Sequence, residues 1–106
     1  MSVSRVLVAN RGEIAVRIIR ACQSLGIETV AAVSEADRES LAAKMATRAV
    51  CIGPPRSSDS YLKTGTLVAA AQSMGCGAVH PGYGLLSERG GLGPASADNK
   101  LPFIGP

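Results

Sequence analysis

Polar and charged side chains follow the first apolar run of the chain at a spacing typical of a ligand-facing turn. Residues 6–9 are apolar, and Asn10, Arg11 and Glu13 come directly after them, where an amphipathic segment begins. A strand–turn–helix unit of this kind places the turn at the carboxyl end of a strand, where open α/β sheets usually bind ligands. Two interpretations of Asn10 and Glu13 have about equal weight. Either both face a substrate cleft, or Asn10 caps the helix, Glu13 complements its dipole and Arg11 is solvated.

A second candidate for chemistry is the segment 80–88, His-Pro-Gly-Tyr-Gly-Leu-Leu-Ser-Glu. Pro81 keeps His80 extended, and Gly82 allows the backbone a positive φ or a close approach to a ligand. We therefore expect a tight loop that presents the phenol of Tyr83 at the carboxyl end of a strand. From the residue types alone, an ordinary structural turn with half-buried His80 and Tyr83 is favoured over a substrate-facing loop.

Other kinds of site find little support in the sequence. The chain has one histidine and three widely spaced cysteines, so no general acid–base pair, metal cluster or nucleophile triad can be assembled. Residues 82–87 resemble a dinucleotide fingerprint but lack its third glycine and lie far from the first strand–helix turn, which argues against nicotinamide or flavin binding. Arg17 and Arg20 lie one turn apart on a polar helix face that by default is solvated.

Length and composition indicate one globular domain comprising residues 1–106. The chain is 46% hydrophobic and 18% charged, as in ordinary globular domains. Its net charge of +3 is spread along the sequence, whereas nucleic-acid binding needs a clustered basic patch. We found no membrane span and no signal peptide. These features predict a cytoplasmic protein, with a removed organelle presequence left open.

Strand and helix patterns alternate along the chain. Strands are predicted at 6–9, 29–33, 49–52, 78–80 and 101–104, and helices at 12–25, 38–46 and 61–74, with Asp37 or Ser34 as the cap of the second helix. Glu13 and Arg17 are expected to pair at i,i+4. Such alternation predicts an α/β fold, a Rossmann-like parallel sheet of about five strands with helices on both faces.

Four segments in order carry a resemblance to a known family. They are VANRGEIA at 8–15, SEADR at 34–38, AVCIGPP at 49–55 with SYL at 60–62, and HPGYGLLSE at 80–88, and the chain ends in FIGP. Together they resemble the N-terminal domain of the biotin carboxylases, the ATP-dependent component of biotin-dependent carboxylases. The resemblance implies a pre-ATP-grasp version of the Rossmann-like fold.

The resemblance also implies a reaction, in which ATP activates bicarbonate as carboxyphosphate and the ureido nitrogen of biotin on a carrier protein is then carboxylated. The parent enzyme would need ATP, Mg²⁺, bicarbonate and biotin, and its partners would be an ATP-grasp part of the same enzyme, the biotin carboxyl carrier protein and a second subunit in a homodimer. The ATP-grasp and C-terminal domains are absent from the 106 residues, so the fragment is expected to bind no cofactor and to be inactive alone.

Site residues follow from the same resemblance. Five residues would line the substrate cleft: Tyr83, Glu88, His80, Asn10 and Glu13. Arg17 and Arg20 would belong to the subunit contact, and no catalytic or metal-binding residue is assigned.

Two other functions and two departures from the family pattern complete the interpretation. The chain could be a stand-alone Rossmann-like binding or interaction module, or the pre-ATP-grasp domain of another ligase, such as those making purines or carbamoyl phosphate; the wording of residues 10–15 argues against the second. Thr47 and Arg48 stand where the family usually has acidic residues. Residues 89–94, Arg-Gly-Gly-Leu-Gly-Pro, oppose the family's helix, so 89–100 is predicted to be the most mobile internal segment.

Overall fold

The computed structural model describes residues 3–54, 64–82 and 104, which form alternating strands and helices. The elements in chain order are strand β1 (Arg5–Val8), helix α1 (Gly12–Ser24), strand β2 (Glu28–Ser34), a short 3₁₀ turn (Glu35–Asp37), helix α2 (Leu41–Met45), strand β3 (Arg48–Gly53), helix α3 (Thr64–Ser73) and strand β4 (Ala78–His80).

All strands of the described sheet are parallel, in the order β3-β2-β1-β4. β1 is central: Leu7 lies opposite Val30 of β2 on one side and Val79 of β4 on the other. The carboxyl ends of β1 and β4 therefore meet at one edge, where Val8 lies opposite His80. The predicted α/β fold with a parallel sheet is confirmed.

Alternate residues of β1 enter two different cores. Val6 and Val8 pack with α1 and with Ala42 of α2. Leu7 and Ala9 pack on the opposite face with Leu67 of α3 and its apolar neighbours. A strand with both faces covered by helices is a continuous apolar run in the sequence, and the predicted arrangement of helices on both faces is confirmed.

The strand count is lower than the predicted five, since the described residues contain four strands. Of the predicted fifth strand, only Ile104 lies within the described residues. Its amide donates a hydrogen bond to the carbonyl of Val79, with 2.8 Å between nitrogen and oxygen, so the chain does return to β4 at this point.

The second helical region differs from its prediction. A helix over 38–46 was expected, but a 3₁₀ turn precedes a shorter helix, α2, that begins at Leu41. The hydroxyl of Ser40 accepts a hydrogen bond from the Ala43 amide at 3.2 Å, so Ser40 is the N-cap. Asp37 or Ser34 was predicted to cap this helix, and this is wrong for α2 because α2 begins only at Leu41. Ser34 instead precedes the 3₁₀ turn, and its hydroxyl donates to Asp37 Oδ2 at 3.3 Å.

Several sequence predictions fall on residues outside the described ranges. These are the loop at 56–60, the start of the third helix at 61–63, the side chains of Tyr83 and Glu88, and the mobility of 89–100. Among the helices that the structure describes, none is long and apolar enough to cross a membrane.

Candidate functional site

The two segments singled out for chemistry meet at the carboxyl edge of the sheet. Asn10 follows β1, and Pro81 and Gly82 follow β4, the neighbouring strand. The Asn10 carboxamide nitrogen donates to the Pro81 carbonyl oxygen, with 2.6 Å between the two atoms. Parallel pairing of β1 with β4 brings together residues that are 71 positions apart in the sequence.

Asn10 is buried, with 3% of its surface exposed. Its carboxamide oxygen accepts a hydrogen bond from the Arg11 amide at 2.7 Å. The N-cap position of α1 is held by Arg11, with no side-chain hydrogen bond to the helix. The helix-cap interpretation of Asn10 is therefore wrong, because the carboxamide points toward β4 and joins the two strand ends.

His80 is half-buried at the end of β4, and one of its ring nitrogens bonds its own turn. Nδ1 accepts a hydrogen bond from the Gly82 amide at 3.1 Å, so the neutral ring carries its proton on Nε2. Burial lowers the pKa of His80, because the charged ring loses hydration. The residue is thus a neutral hydrogen-bond acceptor that stabilises the turn at neutral pH.

Gly82 has a φ of +68°. The sequence analysis predicted that glycine would allow a positive φ at this position. A side chain at this position would place its Cβ 2.6 Å from Ile14 Cγ2 and 3.1 Å from the Asn10 carboxamide nitrogen. The close approach seen in the structure is therefore made to α1. Glycine is required both by the backbone conformation and by the lack of space.

Arg11 is exposed, as in the alternative in which it is solvated, and it also forms an ion pair. Its guanidinium lies 3.1 Å from Asp37 Oδ1, and the Arg11 side chain is 48% exposed against 16% for Asp37. The 3₁₀ turn after β2 carries Asp37 to this edge of the sheet. Sequence reasoning missed this contact because 26 residues separate the partners, and no local pattern connects them.

Glu13, Arg17 and Arg20 lie on the solvent-facing side of α1. Glu13 and Arg17 form the predicted i,i+4 pair, with 3.0 Å between oxygen and nitrogen. Both side chains are mostly exposed, so the pair contributes only a few tenths of a kcal/mol. Glu13 also lies in the first turn of α1, which suits the helix dipole. The structure therefore separates Glu13 from the buried junction of Asn10 and Pro81.

The described residues contain no group of three or more His, Cys, Asp or Glu side chains that could hold a metal ion. Described polar groups at the carboxyl edge of the sheet include the Asn10 carboxamide, the neutral His80 imidazole, the Ser34 hydroxyl and the Arg11–Asp37 ion pair. They can orient a loop and donate or accept hydrogen bonds.

Comparison with known proteins gives consistent matches along the chain. Residues 2–106 match the family model of the biotin carboxylase N-terminal domain. Biotin carboxylase 1 of Bacillus subtilis is 51% identical over 104 residues, which are 98% of this chain and 23% of that protein. The mitochondrial methylcrotonoyl-CoA carboxylase subunit alpha of Arabidopsis thaliana is 52% identical over 104 residues, 98% of this chain and 14% of that protein.

A solved structure gives the same result for the fold. The biotin carboxylase domain dimer of the Hydrogenobacter thermophilus 2-oxoglutarate carboxylase, in complex with MgADP, ADP and bicarbonate, superimposes with a TM-score of 0.92 at 43% identity. The match covers 100% of this chain and 23% of that chain. The 106 residues thus span about a quarter of these proteins or less.

Proposed function

Since the chain belongs to the family of biotin carboxylase N-terminal domains, we propose that it is part of an enzyme that uses ATP and bicarbonate to carboxylate biotin on a carrier protein. Its 106 residues correspond to 23% of the Bacillus subtilis relative. The rest of such an enzyme would supply the ATP-grasp part.

The observation that carries this proposal is the junction of the two family segments at the carboxyl edge of the sheet. Asn10 of the first segment donates to the Pro81 carbonyl of the second at 2.6 Å. Ligands of open α/β sheets bind outside this edge. We infer that the junction belongs to one wall of the cleft where carboxyphosphate meets biotin, and that Tyr83 and Glu88, which follow Gly82 in sequence, face that cleft together with His80.

The remaining cleft residues have different parts in this proposal. Asn10 is buried and holds the cleft wall together through its bond to Pro81. The Glu13 side chain is 76% exposed on α1 and would face another part of the enzyme across the cleft. Phosphoryl transfer needs Mg²⁺ and cationic side chains around the phosphates. Because this chain corresponds to 23% of the Bacillus subtilis relative, we assign ATP, Mg²⁺ and bicarbonate to the remainder of the enzyme.

A subunit contact is proposed for the exposed face of α1. Arg17 and Arg20 both lie there, and the Hydrogenobacter thermophilus relative was solved as a domain dimer. The three cysteines are all free thiols, as is usual in a reducing compartment, which supports a cytoplasmic location.

The expected partner protein is the biotin carboxyl carrier protein, which would present the biotin that is carboxylated.

A chimeric enzyme tests the proposal. The segment of Bacillus subtilis biotin carboxylase 1 that matches this chain would be replaced by residues 1–106, and bicarbonate-dependent ATP cleavage and carboxylation of free biotin would be measured. We expect a kcat/KM within about tenfold of the unmodified enzyme, a difference of about 1.4 kcal/mol in barrier.

The isolated 106-residue chain is the control, and it should show neither reaction. A chimera that folds and binds MgATP but carboxylates no biotin would contradict the proposal. Bicarbonate-stimulated phosphate release by the isolated chain, persisting after contaminating ATPases are removed, would contradict the assignment of the ATP site to the remainder of the enzyme.

A further inference from the structure

Asn10 has the burial and the contacts of a residue that holds another segment in place. The residue is 3% exposed, and a carboxamide removed from water must be hydrogen-bonded to avoid a cost of a few kcal/mol. The nitrogen donates to the Pro81 carbonyl at 2.6 Å, and the oxygen accepts from the Arg11 amide at 2.7 Å. One side chain therefore joins the turn after β1 to the turn after β4.

The backbone around Pro81 has little room to move. Pro81 is less than 2% exposed. A Cβ at Gly82 would lie 2.6 Å from Ile14 Cγ2 and 3.2 Å from Ile18 Cδ1, so the glycine backbone lies directly against α1. The Gly82 amide is bonded to the His80 ring at 3.1 Å. Two side-chain hydrogen bonds and one tight contact thus determine how the chain leaves β4.

We propose that Asn10 is a positioning residue, which sets the direction of the chain after Gly82 and makes no contact with substrate. Tyr83 is the next residue, so a rotation of the peptide between Pro81 and Gly82 would redirect its side chain. The part of this inference that concerns biotin rests on the proposed function. The part that concerns the turn rests on the Asn10 contacts alone.

The substitution Asn10→Asp tests the donor with almost no change of shape. The carboxylate can still accept from the Arg11 amide, but it places a second acceptor opposite the Pro81 carbonyl, where the native nitrogen donates. Asn10→Ser is the uncharged second variant, because its hydroxyl is too short to span the same distance. Ser34→Ala is the matched control: Ser34 is 1% exposed at the carboxyl end of β2, and its hydroxyl bonds Asp37.

In the chimeric enzyme, Asn10→Asp should lower kcat/KM for free biotin about tenfold, the effect of losing about 1.4 kcal/mol of hydrogen bonding at the turn. The KM for ATP and the slow ATP cleavage without biotin should stay within about twofold. A purely structural role would lower all of these together. Ser34→Ala should leave the ratio of the biotin and ATP parameters unchanged. Equal losses for both substrates, or an equal change of ratio in Ser34→Ala, would overturn the proposal.

In the isolated chain, the amide resonance of Gly82 reports on the turn even if the chimera is inactive. We expect Asn10→Asp and Asn10→Ser to shift this resonance, while Ser34→Ala leaves it in place. An unshifted Gly82 resonance in a folded Asn10 variant would overturn the positioning role. Unfolding of both Asn10 variants while Ser34→Ala stays folded would also overturn it, in favour of a purely structural role. An inactive chimera with the expected Gly82 shifts would contradict only the proposed function.

Discussion

At the scale of single residues, we expect a large loss of stability from a very small change at Gly82. Gly82→Ala adds one methyl group 2.6 Å from Ile14 at a φ of +68°. The left-handed backbone costs about 1–2 kcal/mol for a non-glycine residue, and overpacking costs about 1–3 kcal/mol more. We expect the free energy of unfolding, measured by urea denaturation, to fall by about 3 kcal/mol.

Substitutions at two other glycines distinguish the cost of the backbone conformation from the cost of the steric contact. Gly26 has a φ of +73°, and a Cβ added there would meet no atom within 4 Å, so Gly26→Ala should cost only the backbone contribution of about 1–2 kcal/mol. Gly65 lies in α3 with open space around it, so Gly65→Ala should stabilise the chain by about 0.5–1 kcal/mol. A loss for Gly82→Ala no larger than that for Gly26→Ala would show that the contact with α1 is unimportant.

The three cysteines should differ sharply in reactivity. Burial raises the pKa of Cys76 to about 11, partly offset by the charge of Arg5, and burial also raises the pKa of Cys22. At pH 8 only about one Cys76 in a thousand is a thiolate, the form that reacts. Cys51 is exposed on β3 and borders a cavity of about 220 Å³.

We therefore expect an aromatic disulfide reagent at pH 8 to modify one thiol per native chain rapidly and all three in urea. Cys51→Ser should abolish the rapid reaction. Rapid modification of Cys22 or Cys76 in the native chain, identified by mass spectrometry of peptides, would mean that the structure around them opens often.

At the scale of elements, the short helix α2 depends on its N-cap. It has five residues, and isolated helices of this length are unstable in water. The Ser40 hydroxyl accepts from the Ala43 amide, one of the amides at the helix start that lack a partner in the helix. Ser40→Ala should lower stability by about 1 kcal/mol, or about 4–8 °C in Tm for a domain of this size.

Ser73→Ala is the matched control for this prediction. The Ser73 hydroxyl donates to the Ala70 carbonyl at 3.0 Å near the end of α3, and it caps no amide at a helix start. Its removal should change stability by less than about 0.5 kcal/mol. Equal Tm changes in the two variants, followed by circular dichroism, would show that the Ser40 cap does not stabilise α2.

The presence of each helix or strand was easier to predict from the sequence than the residues at which it begins and ends. α1 follows from its apolar periodicity, and Ala15, Ile18, Ile19 and Cys22 are buried. Leu25, which has the same periodicity, lies beyond the end of α1 and is 74% exposed. In the second helical region, Asp37 or Ser34 was predicted as the cap, and the actual cap, Ser40, was missed. The choice depends on Asp37 being held by Ser34 and Arg11, and the contact with Arg11 joins residues far apart in the sequence.

At the scale of the whole molecule, the proposed fragment should expose surface that the rest of the enzyme covers. Exposed apolar surface of this kind favours association, and Leu25, Leu41 and Ile104 are already exposed in the described part of the chain. We expect the isolated chain to self-associate at high concentration or to be marginally stable. Sedimentation of a clean monomer, without binding of a hydrophobic dye, would contradict this expectation.

Charge reversal on α1 shows which surface associates. Arg17→Glu removes the pairing with Glu13 and sets two like charges at i,i+4, and Arg20→Glu changes the same exposed face. If the proposed subunit contact forms the dimer, both should weaken it, whereas Arg48→Glu on the edge strand β3 should not. A dimer unaffected by the α1 changes would place the association on the cleft face.

Three features could be predicted from the sequence: the succession of strands and helices along the chain, the parallel sheet, and the burial of β1 on both faces. All three depend on local periodicity and on runs of apolar residues. Asn10 and Gly82 were also recognisable as important residues. The contacts of Asn10 with Pro81, of Gly82 with Ile14 and of Arg11 with Asp37 emerged only in three dimensions. The hydrogen-bonded partners among them are 26 and 71 residues apart. Such partners become neighbours only through the strand order β3-β2-β1-β4, which no local pattern encodes.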